Sequence, residues 1–337
     1  MTDTINVGII GLGGMGRLHH SCYTANPHAR IVALCDVDPQ KARGIWGDLA
    51  LNIRSEESQT ASQEGVAAYT EYADLIADPN VQAVDICLPT HLHAEVAIAA
   101  MKAGKDVLCE KPLALNTAEC SAVEQVVHET GRRLMVGHCL RYWPQYLAAE
   151  EEIRSGKHGD WLYARFHRSS GAPTWSWENW LLTGSRSGGV VLDMHVHDAD
   201  AALWWFGAPQ NIVASGIQSD DLPLVVDATW EYGAKRVNLH GSWDMNGGDF
   251  RYAFQVVMER GTISFDSAHG KSSLILHSGA QQTEIPIADA SAYQAEIDDF
   301  IDSIRTDRPI TRVTPASSRL AVAVAREEIQ QIQTQTK

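Results

Sequence analysis

The chain has 337 residues, with 42 acidic against 27 basic side chains and a formal net charge of −15. That length suits about two domains with ample core. The acidic balance, without a basic stripe, excludes nucleic acid and anionic membrane surfaces as natural partners, and no apolar run nears the roughly 20 residues that span a bilayer.

The first residues lead straight into an apolar run, Ile5–Ile10, with no signal-peptide pattern. The six cysteines (Cys22, Cys35, Cys87, Cys109, Cys120, Cys139) sit in apolar contexts and form no C-x-x-C pair. They read as buried thiols of a cytoplasmic protein, not as disulfides or zinc ligands. Ile5–Ile10 is a predicted strand, and Gly11-Leu12-Gly13-Gly14-Met15-Gly16 follows it, then a helix over Arg17–Thr24. This is G-x-G-x-x-G between strand and helix. Its glycines permit a tight turn, close approach of a pyrophosphate to the backbone, and close helix–strand packing. A second strand, Arg30–Cys35, ends in Asp36, at the roughly 20-residue spacing of the carboxylate that holds an adenosine ribose. Asp36 and the nearby Asp38, with no arginine directly after them, favour NAD over NADP, because a carboxylate repels a 2′-phosphate.

A helix starts at Pro39, and the polar stretch Ser55–Glu64 reads as a loop. Strand and helix signals then alternate: Val66–Tyr69, Tyr72–Ala77, Ala83–Leu88, Ala94–Ala103, Asp106–Cys109, Thr117–Thr130 and Leu134–Gly137. Such alternation implies right-handed βαβ units around a parallel sheet. Glu110-Lys111-Pro112-Leu113 follows the strand Asp106–Cys109. Ligands of open α/β sheets bind beyond the carboxyl ends of the strands, so Lys111 is placed for chemistry, and Pro112 stiffens the exit. Arg141 and Tyr142, just past the last strand, are expected at the same cleft, where Arg141 either binds a polar substituent or pairs with an acid.

The character changes near residue 160. Trp161–His167 alternates like a half-exposed strand, and Ile212–Ile217, Ala228–Tyr232, Val237–Trp243, Ala253–Met258, Thr262–Phe265 and Ser273–Leu276 follow it. They predict a largely antiparallel open sheet, with helices over Val190–Phe206, Tyr293–Arg305 and Pro315–Gln333. One sheet face needs cover, which predicts a homo-oligomer. The domains are expected at residues 1–140 and 141–337.

The densest segment of this half is Gly188-Gly189-Val190-Val191-Leu192-Asp193-Met194-His195-Val196-His197-Asp198-Ala199-Asp200. Metal binding is one reading of His-x-His. On a helix, however, residues two apart point to nearly opposite sides, which argues against a shared ion. The other readings are a buried helix with satisfied polar groups, and a catalytic face formed by Asp193 and His197, four residues apart. Trp175, Trp177 and Trp180 precede the segment; their indoles suit the faces of a sugar or cyclitol ring, or else belong to the core or an interface.

Together these residues resemble the glucose–fructose oxidoreductase / inositol dehydrogenase (Gfo/Idh/MocA) family. The resemblance rests on the glycine loop, Asp36, Pro89-Thr90-His91-Leu92-His93, Ala103-Gly104-Lys105, Glu110-Lys111-Pro112, Gly188-Gly189 with Asp193 and His197, and Tyr293-x-x-Glu296-x-x-x-Phe300. It implies an N-terminal Rossmann domain with a doubly wound parallel sheet, and a C-terminal α/β domain with an open, mostly antiparallel sheet. It implies a cofactor site of Gly11, Gly13, Gly14, Met15, Gly16, Asp36, Leu88, Pro89, Thr90, His93, Glu110 and Lys111. Lys111, Asp193 and His197 would be catalytic: His197 as the acid/base, Lys111 at the reacting hydroxyl, Asp193 orienting substrate. Arg141, Tyr142, His167, Ser169, Trp175 and Tyr293 complete the expected substrate contacts, Ser169 standing where that strand often carries an amide. The stretches from about 47 to 65 and from His167 to Asp193 look longer than in inositol dehydrogenases. The expected activity is NAD-dependent oxidation of a secondary hydroxyl of a sugar, glycoside or cyclitol, with no metal. Two alternatives share the fold: NAD-assisted glycoside cleavage, and a non-catalytic sensor of sugar or NAD.

Overall fold

A computed structural model describes residues 4–46, 64–243, 250–269 and 273–335. The expected loop at Ser55–Glu64, save Glu64 itself, and most of the long 47–65 stretch lie outside the described residues. The chain forms two compact units: residues 1–139 with Tyr293–Arg319, and Leu140–Ala292 with Leu320–Lys337. A single cut near residue 140 thus marks the first crossing of the chain, and Tyr293–Arg319 returns to the first unit.

The first unit holds a six-stranded parallel sheet in the order β3-β2-β1-β4-β5-β6, the doubly wound order of a dinucleotide fold. Its strands are β1 (Ile5–Ile10), β2 (Ala29–Cys35), β3 (Ala67–Tyr69), β4 (Ala83–Ile86), β5 (Asp106–Glu110) and β6 (Leu134–Gly137). Covered on both faces, β4, β5 and β6 are buried at every position, which is why they read as mostly apolar runs, with Asp85, Asp106 and Glu110 as the exceptions. Helices α1 (Gly14–Ala25), α2 (Pro39–Ala42), α3 (Tyr72–Ala77), α4 (Thr90–Lys102) and α5 (Thr117–Thr130) connect them. Two of these start earlier than expected. α1 begins at Gly14, so the second half of the glycine loop is already the first helical turn. α4 begins at Thr90 instead of Ala94, which puts Thr90 and His93 in its first turn.

The second unit holds an eight-stranded sheet in the order β14-β13-β12-β11-β7-β10-β9-β8. The strands are β7 (Trp161–Ser169), β8 (Asn211–Ser219), β9 (Leu222–Tyr232), β10 (Lys235–Ser242), β11 (Arg251–Met258), β12 (Gly261–Asp266), β13 (Ser273–Ser278) and β14 (Gln281–Pro286). Only β7 and β10 pair in parallel; the other ladders are antiparallel. Before the sheet, α6 (Pro144–Arg154) follows a short 3-10 turn at Cys139–Tyr142. Within the unit a 3-10 segment at Trp177–Leu182, α7 (Gly184–Ser187) and α8 (Val196–Phe206) follow β7. Helix α9 (Ala292–Arg305) belongs to the first unit, and α10 (Pro315–Gln335) begins there and continues in the second.

On β7 the residues alternate. Phe166 meets Trp205 of α8 with ring centroids 5.5 Å apart, so Arg165 and His167 face the opposite way. That opposite face is open. A concavity of about 990 Å³ runs across it, lined by polar residues such as Arg165, His167, Asp227, His240 and Arg251. No helix among the described residues is long and apolar enough to cross a membrane, and all six cysteines are free.

Candidate active site

The glycine loop follows directly from β1. Gly11 holds φ at +90°, a region only glycine enters freely. A side chain at Gly16 would run into the Gly11 carbonyl oxygen, whereas a Cβ on Gly13 would meet nothing within 4 Å. The loop is therefore tight beneath the helix and open where a diphosphate would lie against it. Asp36, at the end of β2, ties down this turn. Its Oδ2 accepts the Leu12 N–H at 2.8 Å and its Oδ1 accepts the Asp38 N–H at 2.9 Å. Each oxygen keeps a second lone pair for a ribose diol. These residues fit a dinucleotide: the loop would hold the diphosphate and Asp36 the adenosine ribose. Sequence reasoning passed over Arg17, whose Nε–H donates to the Leu12 carbonyl at 3.2 Å and whose guanidinium sits 5.6 Å from the Trp46 ring.

The ends of β4 and β5 bring Leu88, Pro89, Thr90, His93, Glu110 and Lys111 into one region of this unit. Thr90 and His93 are buried. His93 lies between two main-chain carbonyls, with Nδ1 2.7 Å from Pro112 O and Nε2 2.7 Å from Leu88 O. Burial holds its pKa below the ordinary value, against two carbonyls that favour the charged ring. The ring is occupied by backbone on both nitrogens. Glu110 is buried, and its Oε2 accepts the Lys111 N–H at 3.0 Å. The Lys111–Pro112 peptide is cis. Tyr293, in the first turn of α9, has its phenol pushed well up by burial and then by the neighbouring Cys139 and Glu110.

Behind Glu110 lies a buried cluster that the sequence did not single out. His19 Nδ1 is 2.8 Å from Asp85 Oδ2, and Nε2 is 3.3 Å from Glu110 Oε1. The second contact is poorly aligned for a hydrogen bond, so its strength is coulombic. Cys87 Sγ lies 3.5 Å from His19 Nδ1. His19, Asp85 and Cys87 offer three ligand atoms within 4.8 Å of one another. Yet 2.8 Å is hydrogen-bond spacing, shorter than the roughly 3.3 Å between two ligands on one tetrahedral zinc. Burial also drives the Cys87 thiol far above its ordinary range, away from the thiolate a metal needs. The cluster is built for protons.

In the second unit, Val190–Phe206 is not one uniform helix. Val191–His195 makes a π-helical turn before α8 begins at Val196. Three ionisable residues here anchor the segment to its surroundings. His195 Nε2 lies 2.9 Å from Glu328 Oε2 of α10, with both side chains fully buried. Asp198 takes Arg168 of β7 in a two-pronged pair at 2.9 and 2.8 Å. Asp200 takes Arg141 likewise, at 2.8 and 2.7 Å. Arg141 thus has the acid partner that was one of its two expected roles, and Tyr142 beside it is buried. From Val190 to Leu203 only Asp193 and His197 are not fully buried, both being half-buried, so the four-residue spacing does put them on one less buried face. His195 points elsewhere, into the Glu328 contact.

Of the other expected contacts, His167 stacks on His240, with centroids 4.9 Å apart and planes 5° off parallel, on the side of the sheet away from α8. Its Nε2 is 3.2 Å from Ser169 Oγ. Trp175 and Trp177 are exposed and Trp180 is partly so; the Arg186 guanidinium lies 5.6 Å from the Trp177 ring. None of the three tryptophans belongs to the core.

Residues 5–138 match the oxidoreductase family model of the GFO/IDH/MocA type with an NAD-binding Rossmann fold, and residues 146–264 match its GFO/IDH/MocA C-terminal domain. An inositol 2-dehydrogenase of Rubrobacter xylanophilus is 29% identical over 80% of this chain and 73% of its own length. A scyllo-inositol 2-dehydrogenase (NAD(+)) of Bacillus subtilis is 32% identical over 62% of this chain and 56% of its own; the aligned stretch spans little more than half of that relative. Levoglucosan dehydrogenase, solved with NADH and L-sorbose, superposes with a TM-score of 0.84 over 98% of this chain and 97% of that one, at 21% identity. That likeness concerns the fold.

Proposed function

The chain belongs to the Gfo/Idh/MocA oxidoreductase family, and from that premise we propose that it is an NAD-dependent dehydrogenase oxidising a secondary hydroxyl of a sugar, glycoside or cyclitol. One observation carries the reading. Along the Val190–Leu203 segment, every ionisable residue but two is buried, and the two left half-buried are Asp193 and His197, one turn apart. Such a pair suits proton transfer from an alcohol: an imidazole takes the proton while a carboxylate orients the hydroxyl. Lys111, at the carboxyl end of β5, supplies an ammonium that stabilises negative charge developing on the alcohol oxygen. A nicotinamide dinucleotide held by the glycine loop and Asp36 would supply the hydride acceptor.

Asp36 supports NAD over NADP, because its fixed carboxylate suits a ribose diol and opposes a 2′-phosphate. The names of the relatives support polyol rings as substrates. Six free cysteines suit a reducing cytoplasm. The open face of the eight-stranded sheet, whose concavity is lined by apolar as well as polar side chains, supports a homo-oligomer, read by sedimentation.

The purified protein with NAD and, separately, NADP is screened against myo-inositol, scyllo-inositol, aldoses, levoglucosan and simple glycosides, following NADH or NADPH absorbance. Stoichiometric NADH is the expected result. Product without net NADH would shift the reading to NAD-assisted glycoside cleavage, and no turnover of any polyol to a sensor. Lys111→Ala is expected to abolish turnover while NAD still binds; near-normal activity in that variant would remove Lys111 from the mechanism.

A further inference from the structure

A lysine side chain turns about four single bonds, so where its ammonium can reach depends on the backbone that carries it. The backbone on both sides of Lys111 is held by a histidine. On the β5 side, Glu110 Oε2 accepts the Lys111 N–H at 3.0 Å, and Glu110 Oε1 lies 3.3 Å from His19 Nε2. The other His19 nitrogen is 2.8 Å from Asp85 Oδ2. Two buried carboxylates that would repel each other are thus joined through one rigid ring. As an imidazolium the ring hydrogen-bonds Asp85 through Nδ1 and faces Glu110 with its charge at Nε2. Burial is the largest single influence and opposes that charge, but Asp85 and Cys87 together hold the His19 pKa well above the ordinary value. Glu110 is confined from a third direction. A Cβ on Gly137, its register partner on β6, would sit 3.2 Å from Glu110 Cα, Cδ and Oε1. On the far side of Lys111, the His93 ring is wedged between the Pro112 carbonyl and the Leu88 carbonyl, each at 2.7 Å, its one N–H donating to one of them, at the exits from β5 and β4.

We propose that His19 and His93 are positioning residues that bracket Lys111: His19, seated between Asp85 and Glu110, fixes the backbone entering the lysine, and His93, seated between Leu88 and Pro112, fixes the backbone leaving it. The proposal rests on the reading of Lys111 as a catalytic residue. The histidines act through the lysine, and neither is asked to touch substrate. It also accounts for a histidine in the first helix and an aspartate inside a fully buried strand, neither of which the glycine loop or the sheet requires.

The test uses the full chain with NAD bound and compares His19→Gln, His93→Gln and Gly137→Ala with the parent. Gly137→Ala crowds Glu110 without altering any charge, so it remains informative where a histidine variant folds poorly. The first readout, amide hydrogen exchange, needs no substrate. In each variant, exchange over residues 110–113 is expected to rise about 10-fold or more, with the β1 amides within about twofold of the parent, since local opening and global unfolding are separable. The second readout is turnover of myo-inositol or the best polyol of the screen. There kcat is expected to fall about 10- to 100-fold, the scale set by misplacing a reacting group by about 1 Å, with KM for NAD within about twofold in His19→Gln and Gly137→Ala. Uniform acceleration of exchange through the whole unit would make the histidines general pins and overturn the proposal. So would unchanged exchange at 110–113 in a folded variant. Activity retained by Lys111→Ala would instead sink the functional reading and leave the exchange result standing by itself.

Discussion

Asp198→Ala is the perturbation whose size follows most directly from the structure. Asp198 is 0% exposed and Arg168 2% exposed. The guanidinium makes two charge-assisted bonds to the carboxylate and a third, at 3.1 Å, to the Tyr146 hydroxyl. The rings of Phe250 and Tyr252 lie 5.7 and 5.3 Å away. The substitution strands a buried cation in its dry surroundings without its counter-charge, and also takes from the Tyr146 hydroxyl a long bond, 3.4 Å, to Asp198 Oδ1. Breaking such a pair from one side costs about 3–5 kcal/mol. With a urea m-value of about 2.5 kcal/mol per M, a loss of about 4 kcal/mol moves the midpoint down by about 1.5 M. Intrinsic fluorescence is a suitable assay, because every tryptophan except Trp46 lies in the second unit. The double variant Arg168→Met with Asp198→Leu is expected to recover to within about 1 kcal/mol of the parent, since replacing both partners removes the stranded charge. A loss under about 1 kcal/mol in the single variant, or a double variant as weak as the single, would refute the reasoning.

Two further outcomes concern pH. Glu296 is fully buried with neither carboxylate oxygen hydrogen-bonded, and burial, then Glu110, holds its pKa well above the ordinary value. The folded state keeps its proton while the unfolded state releases it above the normal carboxyl range, so this group costs more stability as pH rises. Glu296→Gln is expected to melt higher than the parent at pH 8, with the gap closing toward pH 5; a gap that ignores pH would contradict it. His19 has a folded pKa raised by Asp85 in spite of burial. Its contribution is complete below the unfolded value of about 6.5 and is lost as pH rises through the folded value. Thermal unfolding from neutral to alkaline pH should show a steeper loss in the parent than in His19→Gln, and equal slopes would refute the assignment.

The parallel sheet was legible because β4, β5 and β6 are buried at every position and their sequences carry no polar face apart from Asp85, Asp106 and Glu110 at positions with partners. The antiparallel half was less legible at its margins. β14, Gln281–Pro286, is a mostly exposed edge strand, so no apolar alternation marks it. The start of β9 holds Pro223 beside an irregularity in its pairing with β8, which hid six residues of strand. The helix α6 was missed although Pro144 stands at its first position, because its polar face dominates the sequence. The π-turn at Val191–His195 has no local signature; the segment is held by Glu328, Arg168 and Arg141, each far away in sequence. The same holds for His19. Its partner Asp85 is 66 residues away, and nothing near His19 in the chain distinguishes it from an ordinary helical histidine. By contrast Lys111, Asp193 and His197 stand in short motifs, and local spacing was enough to raise them as candidates.

The return of Tyr293–Arg319 to the first unit bears on how the protein is made. At about 5–20 residues per second, a ribosome that has finished Cys139 needs roughly 10–40 s to reach Arg319. Throughout that interval the dinucleotide fold exists without α9, and the apolar seats of Ile297, Phe300 and Ile301, all fully buried in the finished molecule, stand open. The nascent sheet must therefore persist with an uncovered flank while the whole of Leu140–Ala292 is synthesised and folds. That interval is when chaperone engagement would matter most, and it makes the order of synthesis part of the folding problem for this chain.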